Sequence, residues 1–161
     1  MPSYVPGILV QGNCPALVRG GVFSAGGADR IVWDKSGLTD IRSAVRAAAK
    51  QSRCSSARAF LMTAVLAASA AAEADDWLIP QECLDMSAAN VWYDKTENRI
   101  RFCLAEDGWG GSFFGLLLEL AASEAPEAVS YIVKLADRAQ TEHLSFAAIK
   151  KELSQRLTGP G

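Results

Sequence analysis

Residues 55–74, SSARAFLMTAVLAASAAAEA, predict the helix around which the rest of this chain packs. Ser55 or Ser56 suits its N-cap, because a serine hydroxyl accepts a hydrogen bond from a backbone N–H of the first turn. Residues 59–72 carry no charge and are apolar on nearly all sides, as expected of a buried helix. This uncharged run is too short for an ordinary membrane span, so we expect a core helix that ends near Ala74 and no insertion into a membrane.

Further helices are predicted on both sides of this segment, each from a capping residue followed by apolar residues at helical spacing. Thr39 is expected to cap a helix over residues 40 to about 50. In the last third of the chain, Ser112 and Ser145 are suitable N-caps, and Pro126 suits the first turn of another helix. The chain is therefore expected to be mainly helical.

The first 35 residues are rich in glycine, proline and β-branched residues and predict strands. One short strand is expected at residues 8–10. A hairpin is expected at residues 22–33, around the loop AGGAD. A phosphate-binding loop needs a helix immediately after its glycines, whereas a strand follows here, so AGGAD is interpreted as a turn.

A second hairpin is predicted over residues 91–104, where KTEN joins VWYD to RIRFCL. Arg99 and Arg101 alternate with Ile100 and Phe102, a pattern typical of a sheet with one face in water.

Together these elements predict an α+β fold in one domain over residues 1–161. The β-rich portion is expected at residues 1–35, and the helical body, which contains the second hairpin, at residues 36–158.

Composition excludes several classes of protein. Sixteen Lys and Arg face eighteen Asp and Glu, whereas a nucleic-acid-binding protein usually carries an excess of positive charge for the phosphates. The apolar fraction of 50% excludes a disordered chain. The four cysteines form no CxxC or CxxH pair, so neither a zinc site nor a redox motif is indicated, and no metal or cofactor is expected. They are interpreted as reduced, mostly buried thiols.

The N-terminal segment MPSYVPGILVQGNC lacks the positive charge that precedes the apolar part of a signal peptide. Together with unpaired cysteines in a chain able to build its own core, this favours a cytoplasmic location.

The order of elements over residues 31–104 resembles a protein kinase from its hinge into its C-lobe. IVWDKSGLTDIRSAV resembles the last N-lobe strand, the hinge and the first C-lobe helix, and the alanine-rich helix resembles the long central C-lobe helix. CLDMSAANVWYD, residues 83–94, is similar to the catalytic-loop pattern HRDLKPENILLD. The resemblance places Asp85 on the catalytic base, Asn90 on the metal-binding asparagine and Asp94 on the aspartate that often ends the strand.

The sequence lacks several of the groups on which kinase chemistry depends. Cys83 and Leu84 replace the His and Arg, and residues 102–104, FCL, replace the DFG triplet. Too few residues precede the hinge-like segment for a full N-lobe, and neither a Gly-rich nucleotide loop nor a VAIK-like lysine is present. Phosphoryl transfer depends on these groups acting together with Mg²⁺, so no enzyme is expected.

The chain resembles a degenerate version of the kinase C-lobe more closely than it resembles an active kinase. The chain is similar, over roughly residues 5–155, to an uncharacterised bacterial domain found N-terminal to forkhead-associated domains. It resembles more distantly the cytosolic pseudokinase domain of a type VII secretion component. This resemblance implies a truncated, C-lobe-like, pseudokinase-like body and a non-catalytic regulatory or scaffolding role.

Two interpretations of Asp85 and Asn90 stay open. In the first, Asp85 braces the loop before Val91 and Asn90 makes turn hydrogen bonds. In the second, the pair belongs to a nucleotide-binding or residual phosphotransfer site.

Other polar candidates are weaker. The only histidine, His143, precedes a helix and is expected to be exposed. Arg42, Arg46, Lys50, Arg53 and Arg58 form a basic patch, interpreted as the solvated face of two helices or, alternatively, as a site for an acidic partner.

Interaction is the expected function. Trp109, between glycines in EDGWGG, is a candidate binding anchor because tryptophan is enriched at interface hot spots; the alternative is that it folds over the hairpin. Trp33, in the first hairpin, is the second candidate. A missing N-lobe would leave apolar surface on the first strands, which predicts a protein partner or self-association.

Overall fold

Helix α3 lies at the centre of the fold in the computed structural model, which describes residues 4–11, 14–106 and 110–159. The helices are α1 (Val5–Gln11), α2 (Ile41–Gln51), α3 (Ser56–Asp76), α4 (Phe113–Glu124), α5 (Val129–Glu142) and α6 (Phe146–Thr158). The strands are β1 (Arg19–Ala25), β2 (Ala28–Asp34), β3 (Leu38–Asp40), β4 (Val91–Asp94) and β5 (Arg99–Phe102). The predicted α+β, mainly helical class is confirmed.

Small side chains let the other elements approach α3 closely. The helix packs against α2, α4, α6 and β5. Its buried alanines are Ala59, Ala64, Ala67, Ala68, Ala70, Ala71 and Ala74. By length and composition α3 could cross a membrane, but 56% of its most apolar window is buried inside the fold, so it is the core helix that the sequence predicts. It begins at the predicted cap, Ser55, and continues two residues beyond Ala74, to Asp76.

Two antiparallel sheets lie on the helical body. Strands β1 and β2 pair only with each other, and β3, β4 and β5 form a three-stranded sheet in that order. A parallel bridge between Leu17 and Phe102 joins the chain before β1 to the outer side of β5. Strand β3 contains Thr39, so the prediction that Thr39 caps α2 is wrong. The carboxylate of Asp40 is the cap and accepts a hydrogen bond from the backbone N–H of Ser43 at 3.0 Å.

The strand predicted at residues 8–10 is wrong, because residues 5–11 form helix α1. Val5 and Leu9 are both buried and stand four residues apart, which is the spacing of one helix face. Three consecutive apolar residues fit either type of element, and here contact with the core selects the helix.

The wet face predicted for the second hairpin is wrong at one position, Arg101, which is only 7% exposed. Its Nε donates a hydrogen bond to Asp94 Oδ2 at 3.0 Å, and its Nη1 donates to the carbonyls of Pro15 and Leu17 at 2.8 and 3.2 Å. The guanidinium thus joins the N-terminal segment to the hairpin. The hairpin is shorter than predicted, since β5 ends at Phe102.

The caps predicted for the last third of the chain are confirmed at Ser112 and Ser145. Pro126 opens a single 3₁₀ turn, Pro126–Ala128, and α5 follows it directly. Phe113 of α4 and Phe146 of α6 pack edge to face, with ring centroids 5.3 Å apart. These contacts close the helical body around α3.

Candidate functional site

The loop between α3 and β4 brings Asp85 and Asn90 together. Asp85 Oδ1 accepts a hydrogen bond from the backbone N–H of Ser87, and Asp85 Oδ2 accepts one from the Asn90 side-chain amide, both at 3.0 Å. Each carboxylate oxygen therefore has a partner within the loop. This geometry agrees with the interpretation that Asp85 braces the chain before β4.

The backbone on either side of Asp85 is held between two other segments. On one side, the N–H of Asp85 donates to the carbonyl of Cys103 at 2.8 Å, and the N–H of Ala105 donates to the carbonyl of Cys83 at 2.7 Å. On the other side, the N–H of Met86 donates to the carbonyl of Gly110 at 2.6 Å. Residues 82–86 thus lie between residues 103–105 and Gly110, and Leu84, which follows the 3₁₀ turn Gln81–Cys83, forms an isolated antiparallel bridge with Leu104.

Gly110 is required by this arrangement. A Cβ at this position would lie 1.6 Å from the carbonyl oxygen of Leu84 and 2.4 Å from its carbonyl carbon. The N–H of Gly110 also donates to the carbonyl of Glu82 at 3.0 Å. Glycine is present because the two backbones approach too closely for any side chain.

An open cleft of about 620 Å³ lies beside this loop. Its lining residues include Trp33, Asp85, Ser87, Asn90, Cys103 and Glu106. No group of three or more histidine, cysteine or acidic residues able to hold a metal ion occurs in the described part of the chain.

Cys103 is the thiol in this cleft, and it is poorly suited to act as a nucleophile. Burial raises the pKa of Cys103 to about 12, with Asp85 and Glu106 adding to the effect and Lys35 opposing it. Because the thiolate is the reactive form, this thiol is inert near neutral pH.

Trp33, one of the two predicted anchors, stands at the edge of the same cleft. It is half-buried and opposes Gly20 across the first hairpin, where its ring lies 3.1 Å from the position of a Cβ on that glycine. The other predicted anchor, Trp109, lies outside the described residues, so its role stays a prediction.

On one face of the first hairpin, every residue whose side chain the structure describes is exposed. We call this the outer face, and it consists of Arg19, Gly21, Phe23, Arg30, Val32 and Asp34. Phe23 is 59% exposed and Val32 is 61% exposed. Sequence reasoning predicted apolar surface on the first strands without naming these two residues. The alternation of side chains about AGGAD was the signal that could have separated them from Ile31 and Trp33.

Glu106, which the sequence did not single out, attaches this hairpin to the body. Its carboxylate accepts a hydrogen bond from the backbone N–H of Ile31 at 3.1 Å. The contact joins β2 to the segment that leaves β5, and it lies beside the cleft that Trp33 also lines.

The predicted basic patch is largely engaged within the protein. Arg42 donates to Glu119 and Ser123 of α4, and Arg46 makes two hydrogen bonds to Glu124. Arg58 donates to the carbonyl of Leu157 at 2.9 Å. These arginines fasten α2 to α4 and α3 to α6, which favours the solvated-face interpretation over an acidic partner.

His143 is exposed, as expected, and ends α5 in the left-handed conformation with φ of 53°. Glu73, near the end of α3, pairs with Arg99 of β5 at 3.0 Å. Neither His143 nor Glu73 is among the described residues that line the cleft beside Asp85.

Comparison of the chain with models of protein families, with curated proteins and with solved structures finds no match. The resemblance to a kinase C-lobe, and to the bacterial domain that precedes forkhead-associated domains, therefore stays a prediction.

Proposed function

We propose that this chain is a non-catalytic, pseudokinase-like module that acts by protein–protein interaction in the cytoplasm. The observation that carries the proposal is the outer face of the first hairpin, where Phe23 and Val32 are each about three-fifths exposed. Apolar side chains grouped on one face and surrounded by polar residues are typical of interaction sites. A partner that covered them would remove apolar surface from water, which is favourable.

The cleft beside Asp85 supports the absence of catalysis in this proposal. Asp85 and Asn90 use their side chains on each other and on the loop, and the nearby Cys103 is inert. A phosphotransfer site must present such groups to a metal ion and a phosphate. The module is therefore proposed to work without a cofactor.

Site-specific photo-crosslinking tests this function. A benzophenone amino acid is placed at position 23, and the same group is placed at position 133 as a control, because Val133 on α5 is also exposed, at 46%. The proposal expects discrete covalent adducts from position 23, but not from position 133, in cells that express the chain. Equal labelling from both positions, or none from position 23, contradicts it.

A second candidate function is nucleotide binding with residual phosphotransfer. The observation that favours it is the position of Asp85 and Asn90, 3.0 Å apart at the edge of a cleft of about 620 Å³. Thermal unfolding with millimolar ATP and Mg²⁺ or Mn²⁺ separates the two functions, because a ligand that binds only the folded state raises its stability. The interaction proposal expects no shift. A shift that disappears in Asp85→Asn would favour the nucleotide instead.

A further inference from the structure

The pairing of β1 with β2 shows in which direction the backbone N–H and C=O groups point that form no hydrogen bond within the first hairpin. Gly26 and Gly27 both have positive φ, of 60° and 81°, and form a two-residue turn between Ala25 and Ala28. Opposed residues of an antiparallel pair alternate between those that exchange hydrogen bonds and those whose N–H and C=O groups point outward. The N–H of Ile31 donates to Glu106, which is not part of the hairpin, so Ile31 and its partner Val22 do not exchange hydrogen bonds with each other. The N–H and C=O of Val22 therefore point to the outer edge of β1.

The two edges of this hairpin differ. At the edge of β2, the Glu106 carboxylate occupies the N–H of Ile31. At the edge of β1, Gly21, Val22 and Phe23 are exposed, and the N–H of Val22 has no hydrogen-bond partner among the described residues. Proteins usually protect such an edge with charged residues, proline or a covering helix. Helix α1 packs against β1, and its Ile8 and Leu9 line a small cavity together with Arg19, the first residue of the strand. After Arg19 the strand has neither a charged residue nor a proline.

We infer that β1 pairs with β1 of a second copy of this chain, antiparallel and with Val22 opposite Val22. The inference rests on the proposed function, since it names the partner that covers the exposed hairpin. Two hairpins joined in this way form a four-stranded sheet, whereas a two-stranded sheet alone is only marginally stable in water.

The register that places Val22 on the two-fold axis is self-complementary in shape. In this register, Gly21 of each copy lies opposite Phe23 of the other copy. The space above Gly21 is open, because a Cβ there would meet no atom within 4 Å. The incoming ring covers the glycine and reaches Val32, which is opposite Gly21 on β2. An aromatic side chain over a strand glycine is a stabilising arrangement in sheets.

Charge also fits this register. Arg19 is the only charged residue of β1, and it comes opposite Ala25 of the second copy, so no like charges meet across the new pair of strands. Pairing would end at two copies, since Glu106 blocks the edge of β2 in each. A closed two-fold dimer is expected in place of a fibre.

Sedimentation velocity over a range of concentrations, together with cysteine trapping, tests this dimer. In a Cys54→Ser background, Val22→Cys places two thiols opposite each other on the axis, within reach of a disulfide. Arg30→Cys and Val133→Cys are the matched controls, because position 30 lies on β2 of the same hairpin, away from the two-fold axis, and position 133 lies on α5. If this dimer forms, we expect a reversible monomer–dimer equilibrium. Under mild oxidation, the Val22→Cys variant should form a disulfide-linked dimer at least tenfold faster than either control.

A monomer at every concentration, or equal trapping at positions 22, 30 and 133, overturns the dimer. The photo-crosslink at position 23 separates this failure from failure of the proposed function. An adduct of twice the 17.2 kDa chain supports both proposals. An adduct of another mass alone keeps the interaction function and overturns the dimer, and no adduct overturns both.

Discussion

The side-chain amide of Asn90 donates a hydrogen bond at 3.0 Å to the carboxylate of Asp85, which lies five positions earlier in the chain. The same carboxylate accepts the backbone N–H of Ser87 through its other oxygen. The two residues that the predicted kinase resemblance places in a catalytic loop thus stabilise the turn that leads into β4.

Removing this carboxylate should weaken folding. Asp85→Ala is expected to lower the free energy of unfolding by about 1–2 kcal/mol, because two donors lose a charged acceptor. Urea unfolding followed by tryptophan fluorescence measures the change. Asp76→Ala, at an exposed position on α3, is the control and should change the stability little. An Asp85→Ala protein as stable as the wild type would show that the brace contributes nothing.

Gly110 should tolerate substitution least of the glycines described. Gly110→Ala is expected to cost at least about 3 kcal/mol, the upper part of the range for overpacking, because the new Cβ meets the backbone of Leu84. Gly7→Ala is the matched control: position 7 lies in α1, a Cβ there meets nothing within 4 Å, and alanine favours a helix. Thermal unfolding of the two variants should therefore shift in opposite directions. Equal shifts would contradict the close approach at Gly110.

Local signals in the sequence were sufficient for both hairpins and for most helix starts. AGGAD and KTEN mark turns by composition alone, and Ser55, Ser112 and Ser145 cap the helices that follow them because a cap depends only on its nearest neighbours. The cap of α2 was predicted one residue too early, at Thr39, because Thr39 pairs with Tyr93, which lies far away in sequence.

Features that depend on distant residues were not predictable. Arg101 is buried because carbonyls of Pro15 and Leu17 receive its guanidinium, and nothing in RIRFCL indicates those partners. Gly110 appears in the sequence as one of several glycines in EDGWGG, although it packs on the backbone of Leu84. For Asp85 and Asn90 the sequence predicted a loop brace and turn hydrogen bonds, but not the hydrogen bond between the two side chains.

The Arg101–Asp94 pair predicts a pH dependence of stability. Burial opposes ionisation of Asp94, but hydrogen bonds from the backbone N–H of Glu97 and from Arg101 outweigh it and hold the pKa of the carboxyl below its ordinary value of 3.8. A carboxyl whose pKa is lowered on folding adds stability above its unfolded value, and this stability is lost as the pH falls through the folded value.

Asp94→Asn should therefore lower the free energy of unfolding by about 2 kcal/mol at pH 7, the range for a hydrogen bond to a charged group. This difference in the free energy of unfolding should shrink as the pH falls below 3.8, because the carboxyl of Asp94 in the wild type then becomes protonated and loses its charge. Urea unfolding between pH 2 and 7 gives both curves. A difference that is constant over this range would show that the charge of Asp94 is not the cause.

The four thiols should differ sharply in reactivity. Cys14, Cys83 and Cys103 are buried, and burial raises the pKa of each. Cys54 is partly exposed at the end of α2. An aromatic disulfide reagent at pH 8 should modify one thiol in the native protein and four in urea, since only an accessible thiol reacts. Cys54→Ser should abolish the native reaction. Rapid modification in that variant would mean that a buried cysteine becomes exposed in solution.

Leu78 provides the last prediction, because it occupies a position that favours glycine. It follows the end of α3 with φ of 60°, where its N–H donates to the carbonyl of Asp75 and the next N–H, of Ile79, donates to that of Ala74. This is a Schellman motif, which normally has glycine in the left-handed position. A residue with a Cβ is strained there by about 1–2 kcal/mol, and the Leu78 side chain, 74% exposed, has little packing to offset that strain.

Leu78→Gly should therefore raise the melting temperature by about 2–4 °C, the shift expected for 1 kcal/mol in a chain of this size. Leu78→Ala keeps the Cβ and hence the strain, so it is the control and should produce no rise. The hydrogen bond from the Tyr4 hydroxyl to the carbonyl of Leu78, at 2.6 Å, uses only the backbone and should survive both changes. A lower melting temperature for Leu78→Gly would mean that the exposed side chain stabilises the fold, and the strain would then have to be offset by contacts of that leucine.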